Sequence, residues 1–449
     1  MLGEEIFNSL VWRSFFILKK TYKGDRYVMH DLMHDMARHV MGDDCLVIEP
    51  GKDVVIPDGV LHLSSSCPDF HFSPQDLEKL TSLRSIFMFG ERRYKCDISQ
   101  IFNHVHLRVL YLPGIDLNTL PESVRKLKHL KYLNLSNSSI EVLCESVIYL
   151  QNLQMLILKE CNKLEKLPKG LRYMRNLQCL DLISTSVMYL PRGIKELSFL
   201  RTLSWFPIDK DEAKIGELGN LNLLEGKLLI KGLEFVEGLS EAKSANLNCK
   251  TNLSVLVLVW SDIDERERRG QMFTHDEEVL EGLEPISSLK ELSITNYTGK
   301  IISPSWMINL KNLVEIVIYR CKKCEHIPAL RRLPNLRVII LEHMDSLKCF
   351  HDDGTNMSGD TTDMFHSLQK LYIDNCPVLN SLPSNLPKLE VLSLIGCKKL
   401  VSLPDEIQSF KNMKELFIYK CELLRERYEK EIGVDWHKIS HIPDTEIYA

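Results

Sequence analysis

Leucines recur along most of this chain at one short spacing. The phrase Leu-x-x-Leu-x-Leu opens at Leu107 as LRVLYL and at Leu130 as LKYLNL. It returns from Leu153, Leu177 and Leu200, and again from Leu253, Leu289, Leu313, Leu336, Leu368, Leu389 and Met413. Weaker copies start near Leu83 and Glu225. Most neighbouring copies lie about 23 or 24 residues apart. The last two leucines of the phrase are two residues apart, so an extended strand points both to one side. One copy cannot bury them alone, whereas stacked copies can.

The period and phrase predict a leucine-rich-repeat solenoid of the α/β class, a curved parallel sheet in a horseshoe. At about 4.8 Å per strand, some 14 copies give an arc on the order of 65 Å. The concave face stays open and is the expected ligand surface. A second phrase, Leu-Pro, occurs at Leu120-Pro121, Leu167-Pro168, Leu190-Pro191, Leu382-Pro383 and Leu403-Pro404. Proline suits a return path with no amide to satisfy, so the convex side should be irregular or briefly helical.

Three stretches break the period. Pro207 to Asn252 holds a strand-like LLIKGL and a helical SEAKSANL. Ser261 to Pro285 is densely charged, and Asp345 to Phe365 is polar with glycines; both read as solvated loops. Residues 1–41 fit no repeat. GEEIFNSLVWRSF reads as an amphipathic helix, followed by a hairpin about Lys23-Gly24-Asp25 and a helix capped by Asp31. Residues 42–82 connect it to the array, with VLHLSSS from Val60 as a first strand. The array runs over 83–421, and 422–449 should cover its last strand.

Composition adds limits. The net charge of -5 shows none of the basic surplus usual in nucleic-acid binders. The 13 cysteines are odd in number, and Met1-Leu2-Gly3-Glu4-Glu5 lacks the basic flank of a secretory signal. Reduced thiols in the cytoplasm, or in the nucleus or at a membrane periphery, fit best. No apolar run approaches the roughly 20 residues that span a bilayer.

Several phrases together carry a family resemblance. YVMHDLMHDMA resembles the MHD segment of plant intracellular nucleotide-binding leucine-rich-repeat disease-resistance proteins. GKLLIKGLEFVEGLSEAKSANLNCKTNLSVLVLVW and RCKKCEHIPALRRLPNLRVIILEHMDSLKCF look like their repeat region, and RERYEKEIGVDWHKISHIP like the tail common in cereal members. The resemblance implies a winged-helix origin for residues 1–41 and ADP sensing by Met29, His30 and Asp31. It also implies a recognition module for a pathogen effector or a guarded host protein, with restraint of a nucleotide-binding module. The sequence has no GxxxxGK[ST] phosphate loop, so ADP or ATP binding is not carried over and no cofactor is expected. The chain reads as the C-terminal part of such a receptor, from a truncated gene or gene model.

No constellation for catalysis stands out. His30 and His34 have zinc-binding spacing, but the catalytic glutamate of HExxH is missing. Cys321-x-x-Cys324 with His326 is half a zinc site without a matching pair. Cys161, Cys321, Cys376, Cys397 and Cys421 all fall eight residues after the first leucine of their copies, the Asn/Cys position of the repeat, and read as a structural ladder. No GxSxG elbow or kinase signature set is present. A general scaffold or substrate adaptor is the rival reading, though no F-box-like helix is recognisable.

Binding positions should be the outward strand residues, the second, third, fifth, seventh and eighth of each copy. Tyr111, Asn134, Asp181, Tyr372 and Phe417 occupy the fifth; Phe206, Tyr319, Glu342, Asp374 and Tyr419 the seventh. Glu160, Trp260, Arg320, His343 and Lys420 occupy the eighth. Aromatics and arginine on an open face suit a binding hot spot, and they gather towards the C-terminal end.

Overall fold

In copy after copy, the three apolar positions of the phrase are fully buried: Leu130, Leu133 and Leu135 in one, Leu313, Ile316 and Ile318 in another. Each such side chain stabilises the stack by about 2 kcal/mol through area removed from water. The core is therefore one continuous column between the sheet and the convex returns. The computed structural model describes residues 2–21, 24–49, 51, 55–67, 79–89, 101–268, 275–350 and 365–448. The turn residues Tyr22 and Lys23 and the polar run from His351 to Asp363 lie outside these.

The chain begins with α1 (Leu2–Trp12), a hairpin of β1 (Phe16–Thr21) and β2 (Gly24–Met29), and α2 (Asp31–Met41). His30, not Asp31, caps α2: its Nδ1 accepts from the backbone N–H of Leu32 at 3.3 Å. Asp31 is the first helical residue, where its charge still complements the helix dipole.

Among the described residues the repeats form two parallel ladders. The first holds β3 (Cys45–Ile48), β4 (His62–Ser65), β5 (Ser85–Met88), β6 (Val109–Tyr111), β7 (Tyr132–Asn134), β8 (Met155–Ile157), β9 (Cys179–Asp181) and β10 (Thr202–Leu203). The ladder thus starts one strand earlier than VLHLSSS. The second holds β11 (Phe206–Pro207), β12 (Glu225–Lys231), β13 (Asn252–Val259), β14 (Glu291–Thr295), β15 (Glu315–Tyr319), β16 (Val338–Glu342), β17 (Lys370–Asp374), β18 (Val391–Ile395), β19 (Glu415–Tyr419) and β20 (Asp444–Tyr448).

The division comes from a one-residue slip. In LRTLSW the buried partner of Leu203 is Phe206, not Trp205. A single shift exchanges the two faces of a strand. β10 pairs only with β9, and β11 only with β12. Across the slip, the N–H of Glu225 donates to Arg201 O at 2.8 Å, and their side chains pair at 3.5 Å.

The convex returns are short 3-10 turns, as at Glu122–Lys126, Lys169–Tyr173 and Asp405–Ser409, each preceded by proline in the N-cap position or by its equivalent. The insertion after β12 supplies the short helix α3 (Leu239–Lys243). The charged insertion after β13 forms α4 (Ile263–Arg268) and α5 (Asp276–Gly282) and is not merely a solvated loop. Arg266 is fully buried and donates to both carboxylate oxygens of Asp276, at 2.7 and 3.0 Å. At the C-terminus α6 (Glu422–Tyr428) packs on β19, and β20 then adds a further rung beside it. The tail therefore extends the sheet, and β20 becomes its terminal strand.

Candidate protein-binding surface

In β14 to β19 every second residue is buried, so the third, fifth and seventh positions of each copy line the concave face. Register aligns these residues in rows. One row runs Thr295, Tyr319, Glu342, Asp374, Ile395, Tyr419 and Tyr448. A second runs Ser293, Val317, Ile340, Tyr372, Ser393, Phe417 and Glu446. Adjacent acids Glu291 and Glu315 share a third row, and burial together with Glu291 raises the Glu315 carboxyl above its usual range.

The eighth position has a distinct backbone. Asn137, Asn296 and Asn375 adopt left-handed φ there, as do Gly114 and Gly396. Those residue types tolerate that region best. Arg320 (φ 53°), His343 (φ 56°) and Lys420 (φ 53°) take the same conformation at a cost of roughly 1 kcal/mol each. The left-handed turn places Arg320 and Lys420 beside the aromatics that precede them, and His343 beside Tyr319 of the adjacent copy. The Arg320 guanidinium lies 5.1 Å from the Tyr319 ring centre, and Lys420 Nζ lies 4.8 Å from that of Tyr419. The His343 ring meets Tyr319 edge-on at 5.7 Å.

The C-terminal aromatics resolve into two clusters. Tyr319, Arg320 and His343 form one. Phe417, Tyr419 and Tyr448 form the other, with Phe417 6.4 Å from Tyr419 and 6.3 Å from Tyr448. Tyr319 and Tyr419 are four rungs apart, about 19 Å at normal strand spacing. Tyr372 stands between them. Tyr448 escaped the sequence reading because the tail carries no leucine phrase.

Three expected surface residues are corrected. Trp260 is wholly buried, and its ring packs edge-on against Tyr297 at 5.4 Å. Its backbone is not left-handed, so the alternation that buries Leu256 and Leu258 carries the indole into the core as well. Phe206 is buried by the slip described above. Asn134 is nearly buried, its Nδ2 donating to the Tyr132 hydroxyl at 3.1 Å and its Oδ1 accepting from Ser136 N at 2.9 Å. Tyr111 does face outwards, half-buried, 5.4 Å from Phe89 and 6.1 Å from Phe87. The weak copy at Leu83 places Phe87 and Phe89 in its fifth and seventh positions.

Cys161, Cys321, Cys376, Cys397 and Cys421 are all buried immediately after the left-handed position. Their thiols donate to nearby carbonyls: Cys161 to Leu135 O at 3.1 Å, Cys376 to Asp374 O at 3.7 Å and Cys421 to Tyr419 O at 3.4 Å. Cys321 reaches Ile294 O at 3.7 Å and Cys397 reaches Ile395 O at 3.6 Å. Burial pushes the Cys376 thiol up to about 12, far from the reactive thiolate range. Cys324 donates to His326 O at 3.4 Å, and the Cys349 thiol contacts His326 Nδ1 at 3.3 Å. Among the described residues no three ligand-type side chains converge on a metal position.

Met29, His30 and Asp31 sit at the junction of hairpin and helix. His30 and Asp31 are exposed, and the His30 Nδ1 is engaged in the α2 cap. Among the described residues no helix is long and apolar enough to cross a membrane.

Known proteins share this organisation. Residues 1–37 match the family model described as disease resistance protein winged helix domain, and residues 215–344 the one described as R13L1/DRL21 leucine-rich repeats. The disease resistance RPP13-like protein 1 of Arabidopsis thaliana is 30% identical over 453 residues, covering 94% of this chain and 42% of that protein. Disease resistance protein RGA2 of Solanum bulbocastanum is 29% identical over 558 residues, covering 100% of this chain and 54% of that protein. The chain thus spans about half or less of the length of these curated relatives. In structure, a leucine-rich-repeat protein of Leptospira interrogans superposes with a TM-score of 0.51 at 22% identity, over 80% of this chain and 90% of that one, which shows the fold. The chain belongs to the plant disease-resistance proteins, of which it carries a winged-helix segment followed by leucine-rich repeats.

Proposed function

We propose that this chain is a recognition module of plant innate immunity that binds a protein, either a pathogen effector or a guarded host protein, through the C-terminal half of its concave face. The observation that carries this reading is the cluster of Tyr319, Arg320 and His343. There a cation and an imidazole are held beside a half-buried tyrosine by left-handed backbone that asparagine or glycine would adopt at lower cost. Strain retained at an exposed position points to a function outside folding. Tyr372, Phe417 and Tyr419 continue the same face and supply the aromatic area that binding hot spots use.

Recognition in this reading needs no chemical step and no cofactor. The nucleotide switch implied by the family is not part of the proposed role, and the setting is the cytoplasm, where free thiols are at home. The twelve cysteines described are all free. The test is a comparison of partners captured from pathogen-challenged leaf by the full chain and by a Tyr319→Ala/Tyr372→Ala variant. Both substituted side chains are only half-buried, so the variant should keep its thermal midpoint. Loss of a specific effector or host protein, by about tenfold or more, is expected. An unchanged set of partners would remove the patch from the proposal, and a ligase component as the retained partner would favour an adaptor.

A further inference from the structure

The N-terminal end of the concave face departs from the rest of the array in two independent ways. Six copies carry an asparagine just before the first position of the phrase, and in five of them its side-chain amide donates to backbone in the copy before. Asn152 reaches Lys128 O, Asn176 reaches Gln151 O and Asn335 reaches Lys311 O, each at 2.7 Å. Asn312 and Asn412 do the same to Ser287 O and Pro387 O, at 3.3 and 2.9 Å. In the copies of β6 and β7 this place is taken by His106 and His129. Their rings stack on each other instead, with centres 6.4 Å apart and planes 17° from parallel. With Ser82, Arg84 and Arg108 they line a cleft of about 350 Å³.

The second departure is electrostatic. Arg84, Arg108 and Lys131 hold the second position in three successive copies, and all three are exposed. Backbone bonds tie the rungs directly: Arg108 N to Arg84 O at 2.7 Å and Lys131 N to Arg108 O at 2.8 Å. At normal strand spacing the three charges fall within about 10 Å, an arrangement that opposes folding. Among the described residues none of the three is ion-paired. At the same position Arg201 pairs with Glu225 at 3.5 Å and Lys414 with Glu390 at 2.6 Å, whereas Lys290 and Arg337, unpaired among the described residues, do not stand on adjacent rungs. The same strands also turn Phe87, Phe89 and Tyr111 outwards, and Phe89 is 50% exposed.

We propose that β5, β6 and β7 form a second docking surface for an acidic protein segment that carries an apolar side chain. Carboxylates would lie along Arg84, Arg108 and Lys131, and the apolar group would rest on Phe89 and Tyr111. An unpaired cationic row beside uncovered aromatics is complementary to that partner. A long polyanion fits less well, because the row ends after three rungs in a chain of net charge -5. This surface lies eight strands or more from Tyr319, so it can be tested apart from the C-terminal patch.

The experiment is fluorescence anisotropy of a dye-labelled peptide alternating glutamate and phenylalanine, titrated with the full chain. Binding is expected, weakened about tenfold or more by Arg84→Glu/Arg108→Glu and similarly by Phe89→Ala/Tyr111→Ala. Arg84→Lys/Arg108→Lys should retain most of it, and Tyr319→Ala/Tyr372→Ala should leave it unchanged. Equal thermal midpoints would show that the variants fold. Absence of binding would overturn the proposal. So would binding that ignores the aromatic substitutions and yields fully to tripolyphosphate or to an oligothymidylate, because the site would then read charge alone.

Discussion

Single residues show how far burial governs charge in this chain. Lys250 is completely buried, and its Nζ donates to Leu218 O at 2.8 Å. Loss of water lowers its pKa from 10.5 to about 8. Below pH 8 the folded and unfolded chains both hold the proton, and burying the charge opposes folding. Between pH 8 and 10.5 the unfolded chain binds more protons, so stability should rise with pH by up to about 3 kcal/mol from this group. Urea titrations across that window should show the rise in the natural chain and lose it in Lys250→Met. A parallel rise in both proteins would assign it to other groups. No sequence pattern announced Lys250, since lysine is rarely buried and nothing in its spacing sets it apart. The cysteines were legible because their spacing from the leucines repeats. Trp260 was not, because the eighth position normally faces out on left-handed backbone, which Trp260 does not adopt, so the strand's alternation carries it inwards.

At the level of elements, the strands could be read directly and the insertions could not. Period-two burial follows from side-chain geometry alone, so each leucine phrase became a rung. The charged insertion after β13 reads as solvated, yet α4 and α5 are clasped by Arg266 and Asp276, with Thr298 Oγ1 also donating to Asp276 at 2.5 Å. Charge marks the surface only when each ion lacks a partner close enough to replace water. Asp276→Ala should therefore cost about 3 kcal/mol or more by leaving a buried guanidinium without its carboxylate. Arg266→Met/Asp276→Leu should recover much of that loss. Urea unfolding of the two variants decides it, and equal stability would place the clasp in solvent. The α2 cap shows the same limit on a smaller scale: a histidine beside an aspartate took the capping role that residue preference assigns to the aspartate.

For the whole molecule, the repeat predicted one arc and the structure holds two ladders. Solenoid stability is close to a sum over neighbouring units, so a weak neighbour contact divides it. The step from β10 to β12 relies on the Arg201–Glu225 contacts and on convex packing, whereas β12 and β13 pair along seven residues. Hydrogen exchange should reveal two cooperative units meeting near Trp205 and Phe206. Uniform protection across that point would count against the division. Overall shape, open concave face and family were readable from leucine spacing and a few phrases. The slip was hidden because LRTLSW keeps an apolar residue at every expected place and differs only in which aromatic turns inwards.

The terminal rung has a consequence for how these molecules meet one another. Among the described residues β20 shares hydrogen bonds on one side only, so a row of backbone donors and acceptors lies along its other side. Such a row would usually let copies zip together in a concentrated solution. Asp444 and Glu446 project from it, so two copies brought end to end would set carboxylate against carboxylate. Charge on that rung would disfavour pairing between two like copies of the chain.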